Sequence, residues 1–445
     1  MAVDAGALVR GDIELWGKQF GQEPSYRRMQ NAVAQASVDD VALDREIVVR
    51  TDRSVSHLLD DWKVTNQKRS GRCWLFAGLN LLRVGAAKKM NLTDFEFSQN
   101  HTMFWDKLER ANYFLEAMIE TAGRDVDDRT VAHVMASAAD DGGQWNMFAA
   151  VVAKHGLVPK TAMPETESSS DTSRLNASLR TVLHQGAKTL RETSGVAQQR
   201  ERKREILGVV HRVLCIHLGT PPERIYWQWT DKDREFHRDG ELTPLEFAEK
   251  YVTIPADDYV CLVDDPRSSS PRNQTLTVDY LGNVVGAPQV VYLNVDMATI
   301  KQIAADTIVS GEPVWFGCDV GQMMRRDLGI WDAELYDLAG VYDARLDLDK
   351  ASRLAYHETQ MTHAMLFTGV DLVDNRPRRW RVENSWGDEG GVDGFYTMND
   401  NWFDEHVFEI ACRRDQLSPE LQAALDQPPV VLPAWDPMGA LAHGS

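Results

Sequence analysis

Apolar and polar positions divide this chain into stretches of different period. From Cys73 to Met90, CWLFAGLNLLRVGAAKKM is apolar on nearly every side, which predicts a central, buried helix. HTMFWDKLERANYFLEAMIETAG and QWNMFAAVVAKHG continue with helical spacing. PETESSSDTS interrupts the pattern and marks a boundary. Beyond it a long charged helical region, from about Leu175 to Leu218, includes QQRERKREILGVVHRVL. After about Tyr251 the runs become short and β-like: VVYLNV, PVWFGCDV, HAMLFTGVDLV, RRWRVENSWG, GFYTM and VFEIACR, many separated by Gly, Asp or Asn. Residues 1–60 read as mostly helical and polar, closing on the β-like REIVVRT. The expected order is a helical half, a helical insertion and a β half, an α+β chain with an antiparallel sheet or barrel.

Composition narrows the function classes. A chain of 445 residues exceeds what one simple core supports, so two or more subdomains are expected. The net charge of −19 argues against a nucleic-acid platform, although QRERKREILGVVHR is locally basic. Glu201 and Glu205 lie within that run, so a solvated helix face is the favoured reading and nucleic-acid binding the alternative. The opening MAVDAGALVRGDIELW has no basic-then-apolar leader, and no apolar run reaches membrane-spanning length. Five widely spaced cysteines, none in a CxxC pair, suit free thiols in a reducing compartment. The expectation is a cytoplasmic protein without a membrane partner, metal or cofactor.

The sharpest chemical signal is NQKRSGRCWLF, which places Cys73 at the start of a strong helix. Unpaired N–H groups and the helix dipole favour a thiolate there. Lowering a thiol from ~8.5 to about 4 takes roughly 6 kcal/mol, and a helix end supplies only ~1–2 kcal/mol, so a cationic partner is needed. A buried core cysteine is the competing reading. Among twelve histidines, His363 stands at the mouth of a β-like run, whereas His155, His211 and His217 sit in helical or polar contexts. Asn384, in ENSWG, offers a carbonyl that can orient an imidazole, with Trp386 as a shield from water; a plain turn is the alternative. Gln67, six residues before Cys73, offers an amide donor for an oxyanion, or is simply a loop glutamine.

Taken together, Gln67, Cys73-Trp74, His363-Ala364 and Asn384-Ser385-Trp386-Gly387 resemble the papain-like cysteine peptidases, in the same chain order. The spacing departs: 290 residues separate Cys73 from His363, against ~130–150 in the simple arrangement. That enlarged layout, with FSQNHTMFWDKLERANYFLE, DGGQWNMF, VPKTAMPET, PVWFGCDV and AWDPMGALA, resembles the bleomycin hydrolase and aminopeptidase C branch across nearly the whole chain.

The resemblance implies a two-lobed fold: an N-terminal arm (1–60), a helical catalytic lobe (61–165), a helical insertion (166–250), an antiparallel β-barrel lobe (251–415) and a C-terminal arm (416–445) entering the cleft. It implies Cys73 as nucleophile, His363 as general base and acid, Asn384 as its orienter and Gln67 as oxyanion donor. Gly142, Gly143, Trp386 and Ala442 are the implied substrate-side residues. Peptides with a free N-terminus and a homohexamer are the implied partners, and cleavage of bleomycin-like amides a possible extension. The arm's terminal carboxylate is expected to meet the substrate α-ammonium and restrict cleavage to the amino end. One departure bears on this. The family pattern stops near Ala442, and His443-Gly444-Ser445 add about 10 Å when extended. Self-trimming, non-native residues and relaxed gating with endopeptidase or other amide hydrolase activity are the alternatives, as is a non-catalytic scaffold.

Overall fold

The computed structural model describes residues 6–59 and 62–442. The helices Cys73–Met90, Gln99–Glu120 and Trp145–His155 form where apolar spacing predicts them. Cys73–Met90 is buried along most of its length and ends on Asn91 in the left-handed region (φ 56°). Gly78 lets it approach Trp145–His155 closely: a Cβ there would lie 2.7 Å from the Phe148 ring. Among the described residues no helix is long and apolar enough to cross a membrane.

The insertion carries helices Ser173–Glu192 and Val196–Leu218, as expected. The basic residues of the second are partly neutralised, since Arg200 and Lys203 pair with Glu116, and Arg202 with Glu205. The insertion is not wholly helical. Ile225–Thr230 and Phe236–Leu242 form an antiparallel hairpin before Tyr251, where the β texture was expected to begin. Ile225, Trp227 and Trp229 face inward in alternation, and the Asp231 carboxylate accepts the Asp233 and Glu235 amides to close the turn. REIVVRT also departs from expectation. Arg45–Arg50 is a helix because Asp44 caps its Glu46 and Ile47 amides, and Ile47 then packs on Ile330 and Leu335.

The predicted β runs join one sheet of 12 strands. From one edge it runs Val430–Leu432, Gln274–Val278, Tyr292–Asn294, Tyr259–Val263, Val407–Arg413, Val314–Cys318, His363–Val373, Arg376–Glu383, Phe395–Asn399, Ile330–Trp331 and Met324–Arg325. His57–Leu58 pairs on His363–Val373. The sheet is mixed, which corrects the purely antiparallel expectation: Tyr259–Val263 with Tyr292–Asn294, Gln274–Val278 with Val430–Leu432, and Phe395–Asn399 with Ile330–Trp331 are parallel. Gln274–Val278 sits beyond Tyr292–Asn294, so the chain returns beside Tyr259–Val263 in the same direction. Turn residues reveal where strands stop, not which neighbour they choose.

One core lies between the sheet and the helices, and a second packs the other sheet face against Met297–Val309. The halves meet at the start of Cys73–Met90, where Trp315 Nε1 donates to the Trp74 carbonyl (3.3 Å) and the Trp315 and Trp145 rings lie 5.8 Å apart. Within the joint core, Glu409 is wholly buried beside Cys261, and desolvation pushes its carboxyl up to about 8. The folded protein therefore keeps a proton that the unfolded chain releases near ~4.3, so this contribution to stability is complete at low pH and is lost as pH rises toward 8. Glu409→Gln is expected to raise the thermal midpoint more at pH 8 than at pH 5. Equal shifts at both values would contradict a protonated Glu409.

Candidate active site

The loop before the buried helix is zipped to the loop after Arg376–Glu383. Gln67 N donates to the Ser385 carbonyl (2.8 Å), Gly387 N to the Thr65 carbonyl (3.0 Å), and Asn66 forms an isolated β-bridge with Trp386. Gly387 has φ 77°, and a Cβ there would lie 2.4 Å from the Asn66 amide, so glycine is required. Gln67 itself is buried. Its Oε1 accepts from Ser385 Oγ (2.5 Å) and its Nε2 donates to the Ser70 carbonyl (2.6 Å). A primary amide has two N–H groups, so this bond leaves one for a ligand.

Two charged groups that the sequence reading did not single out hold the turn into the helix. Arg72, 1% exposed, makes a bidentate pair with Glu165 (3.1 and 2.7 Å) and donates to Ser70 Oγ. Asp141 accepts from the Gly71 amide (3.0 Å), Thr172 Oγ1 (2.5 Å), Asn176 Nδ2 (2.8 Å) and Lys107 Nζ (2.6 Å). Burial opposes its ionisation, but the Lys107 ammonium and these donors hold its carboxyl well below the usual carboxylate range. Trp74 Nε1 donates to the Asp141 backbone carbonyl (2.7 Å). The Asp beside the paired glycines was the available signal.

Cys73 begins its helix, as predicted, and is fully buried. The helix start by itself does not depress its thiol. Desolvation pushes it up to about 12, against backbone N–H groups of Ala364, Trp74 and Cys73 that pull it down. Three amide donors do not offset the loss of water around a lone thiolate. The negative charge therefore needs a counter-charge formed in the same step.

His363 opens the His363–Val373 strand, across from Cys318 on Val314–Cys318, and the amide of its neighbour Ala364 reaches Cys73. Its Nε2 lies 2.8 Å from Asn384 Oδ1, which also accepts the Ser385 amide (2.7 Å). An amide oxygen can only accept, so this contact assigns the proton to Nε2. The Trp386 ring lies 5.0 Å from the imidazole at 32° and covers it. Beneath Asn384, the wholly buried Glu383 accepts from Trp62 Nε1 (2.6 Å), Asn80 Nδ2 (2.9 Å) and Arg83 Nη2 (2.9 Å). His155, His211 and His217 lie elsewhere: His155 stacks on Trp105 and contacts Glu109, His211 lies near Cys215, and His217 meets Ser168.

The C-terminal arm reaches the same place. Arg129 lies over the Trp435 ring at 4.0 Å, and Asp436 makes a bidentate pair with Arg267 (3.1 and 2.7 Å). From that anchor the chain threads inward: Ala440 O accepts from Gln144 Nε2 (2.6 Å) and Ala442 O from the Gly143 amide (3.2 Å). Ala442 is fully buried in an antiparallel bridge with Gly143. Gly143 is packed flat on Trp74, where a Cβ would lie 2.5 Å from the ring. Gly142 serves differently, its carbonyl accepting from Arg110 (2.8 Å). His443-Gly444-Ser445, and with them the terminal carboxylate, lie outside the described residues.

Gln67, Cys73, His363, Asn384 and Trp386 thus share one site, bordered by Gly143 and Ala442. The sequence pattern of the Peptidase C1-like family matches residues 7–439. Aminopeptidase C of Listeria innocua serovar 6a is 42% identical over 434 residues, covering 97% of this chain and 98% of the relative. Bleomycin hydrolase of Homo sapiens is 40% identical over 447 residues, covering 96% and 97%. A crystal structure of PepW from Lactobacillus rhamnosis superimposes with a TM-score of 0.96 at 41% identity, covering 99% of this chain and all of that one.

Proposed function

The chain belongs to the Peptidase C1-like family and is a cysteine aminopeptidase; we propose that it hydrolyses N-terminal residues from peptides through a Cys73–His363–Asn384 thioester mechanism, its own C-terminal arm limiting cleavage to the amino end. The observation that carries the gating is the β-bridge between Ala442 and Gly143, on the wall formed by the Trp74 ring next to the nucleophile. A backbone already paired there fills the place where residues preceding the scissile bond of a longer peptide would lie.

The steps follow from the donors present. Burial disfavours a lone thiolate, so Cys73 loses its proton to His363 as an ion pair forms, with Asn384 holding Nε2 and leaving Nδ1 to exchange the proton. Sulfur attacks the peptide carbonyl, and the oxyanion takes the Cys73 N–H and the second N–H of Gln67 Nε2. His363 then protonates the leaving amine as the C–N bond breaks, which leaves a thioester. Water, deprotonated by His363, attacks that thioester and releases the amino acid, and Cys73 recovers its proton. Trp386 keeps bulk water off the His363–Asn384 bond.

The fivefold division given by the resemblance, with a barrel lobe, belongs to this reading. So does a cytoplasmic homohexamer. Support for assembly comes from helix Arg10–Gln22, where Ile13, Trp16 and Phe20 share one exposed face and no residue is buried. Its bleomycin hydrolase relatives support a bleomycin-like amide as a further substrate.

Gln67→Ala tests the oxyanion assignment. Its donor is needed mainly in the transition state, so kcat is expected to fall about 10²–10³-fold with little change in KM. A change confined to KM would remove Gln67 from that role.

A further inference from the structure

The arm pairs with Gly143 on the Trp74 wall, so the leaving peptide is taken to depart over the side the arm does not pair with, that of Trp386, whose ring lies 5.0 Å from His363. On Trp386 rests an arginine that the mechanism does not use. The Arg326 guanidinium sits 4.7 Å from the ring centroid, and the residue is exposed. Its backbone is fixed by flanking pairs, Met324–Arg325 with Ile330–Trp331, and by Gly329 N donating to its carbonyl (3.2 Å). The neighbouring Arg325 is paired with Asp40 (2.5 Å) and Asp327 (2.6 Å). No carboxylate among the described residues lies within ion-pair distance of Arg326, and the exposed Asp388 and Glu389, which follow Trp386, do not reach it.

We propose that Arg326 is a specificity residue for the leaving side of the substrate, selecting a carboxylate just beyond the scissile bond. The inference rests on the aminopeptidase reading above. A guanidinium over an indole, with the Tyr396 hydroxyl beside it, has further donors for a planar anion, and a carboxylate fits two of them. In a dipeptide that anion is the α-carboxylate of the leaving amino acid. In a longer peptide it is an Asp or Glu side chain near the new amino end.

The test uses the full chain and two substrate pairs, Leu-Ala against Leu-Ala-amide, and Leu-Glu-Ala-amide against Leu-Gln-Ala-amide. The readout is the ratio of kcat/KM within each pair, which cancels differences in folded enzyme between variants. The parent protein is expected to favour the carboxylate about tenfold in at least one pair, with the ratio shrinking as salt is added. Arg326→Gln is expected to bring that ratio close to one, and Arg326→Lys to retain part of it. Preference in the first pair alone identifies the α-carboxylate, and in the second alone the side chain; both support the assignment. Equal ratios in the parent and Arg326→Gln would overturn it while the aminopeptidase reading stood. No cleavage of any of the four by the parent would overturn both.

Discussion

A Cys73→Ala protein is expected to lose peptide hydrolysis by on the order of 10⁴-fold or more in kcat, while its unfolding midpoint changes little. The loss is large because residues of a catalytic unit fail together: without sulfur, His363, Asn384 and Gln67 have no covalent step to assist. The fold is spared because alanine keeps the Cβ and removes one sulfur at the helix start, where the turn is held by Arg72–Glu165 and by Asp141. A thiol alkylator gives a second readout. Cys261, Cys318 and Cys412 share the burial and raised thiol of Cys73, so the readout makes the distinction: alkylation at Cys73 is the one expected to remove activity. Activity-linked labelling that persists in Cys73→Ala would contradict this assignment.

The second large effect concerns the arm. A chain ending at Met438 keeps the Trp435 and Asp436 anchors and loses the strand that pairs with Gly143 and Gln144. Opening that groove admits peptides with residues preceding the cut site, and it removes whatever the arm offers to a free α-ammonium. Truncating one partner of a buried charge pair costs about 2–5 kcal/mol, so the preference for a free over an acetylated amino terminus is expected to fall by roughly 10²-fold. Retention of the full preference in the shortened chain would remove the arm from its gating role. A further shortening before Trp435 removes the anchor as well, and because Gly143 is already open in the first truncation it is expected to add no further loss of that preference.

The residues of the candidate site were legible because each sits in a short string with its own chemistry: Cys73 before an apolar helix, His363 at a strand mouth, Asn384 and Trp386 in one turn. HAMLFTGVDLV and VFEIACR are strands over the whole of the predicted runs, since β-branched and aromatic residues bounded by turns have few alternatives. What the sequence concealed depends on distant partners. REIVVRT is helical through an Asp44 cap and a docking site on Ile330 and Leu335. Parallel strand neighbours follow from the order in which edges are filled. The elevated Cys73 thiol follows from burial that no local string reports, and the Lys107–Asp141 and Arg83–Glu383 pairs join residues far apart in the chain. The hairpin of Ile225–Leu242 was open to detection, because its aromatic alternation and Asp-rich turn are local.

Cleavage from the amino end by Cys73 is tested by a time course of one unblocked decapeptide with the full-length protein, its products resolved by mass. Free amino acids and a ladder shortened one residue at a time from the amino end are expected, both absent in Cys73→Ala. Early appearance of internal fragments, with the amino-terminal residue still attached, would contradict it.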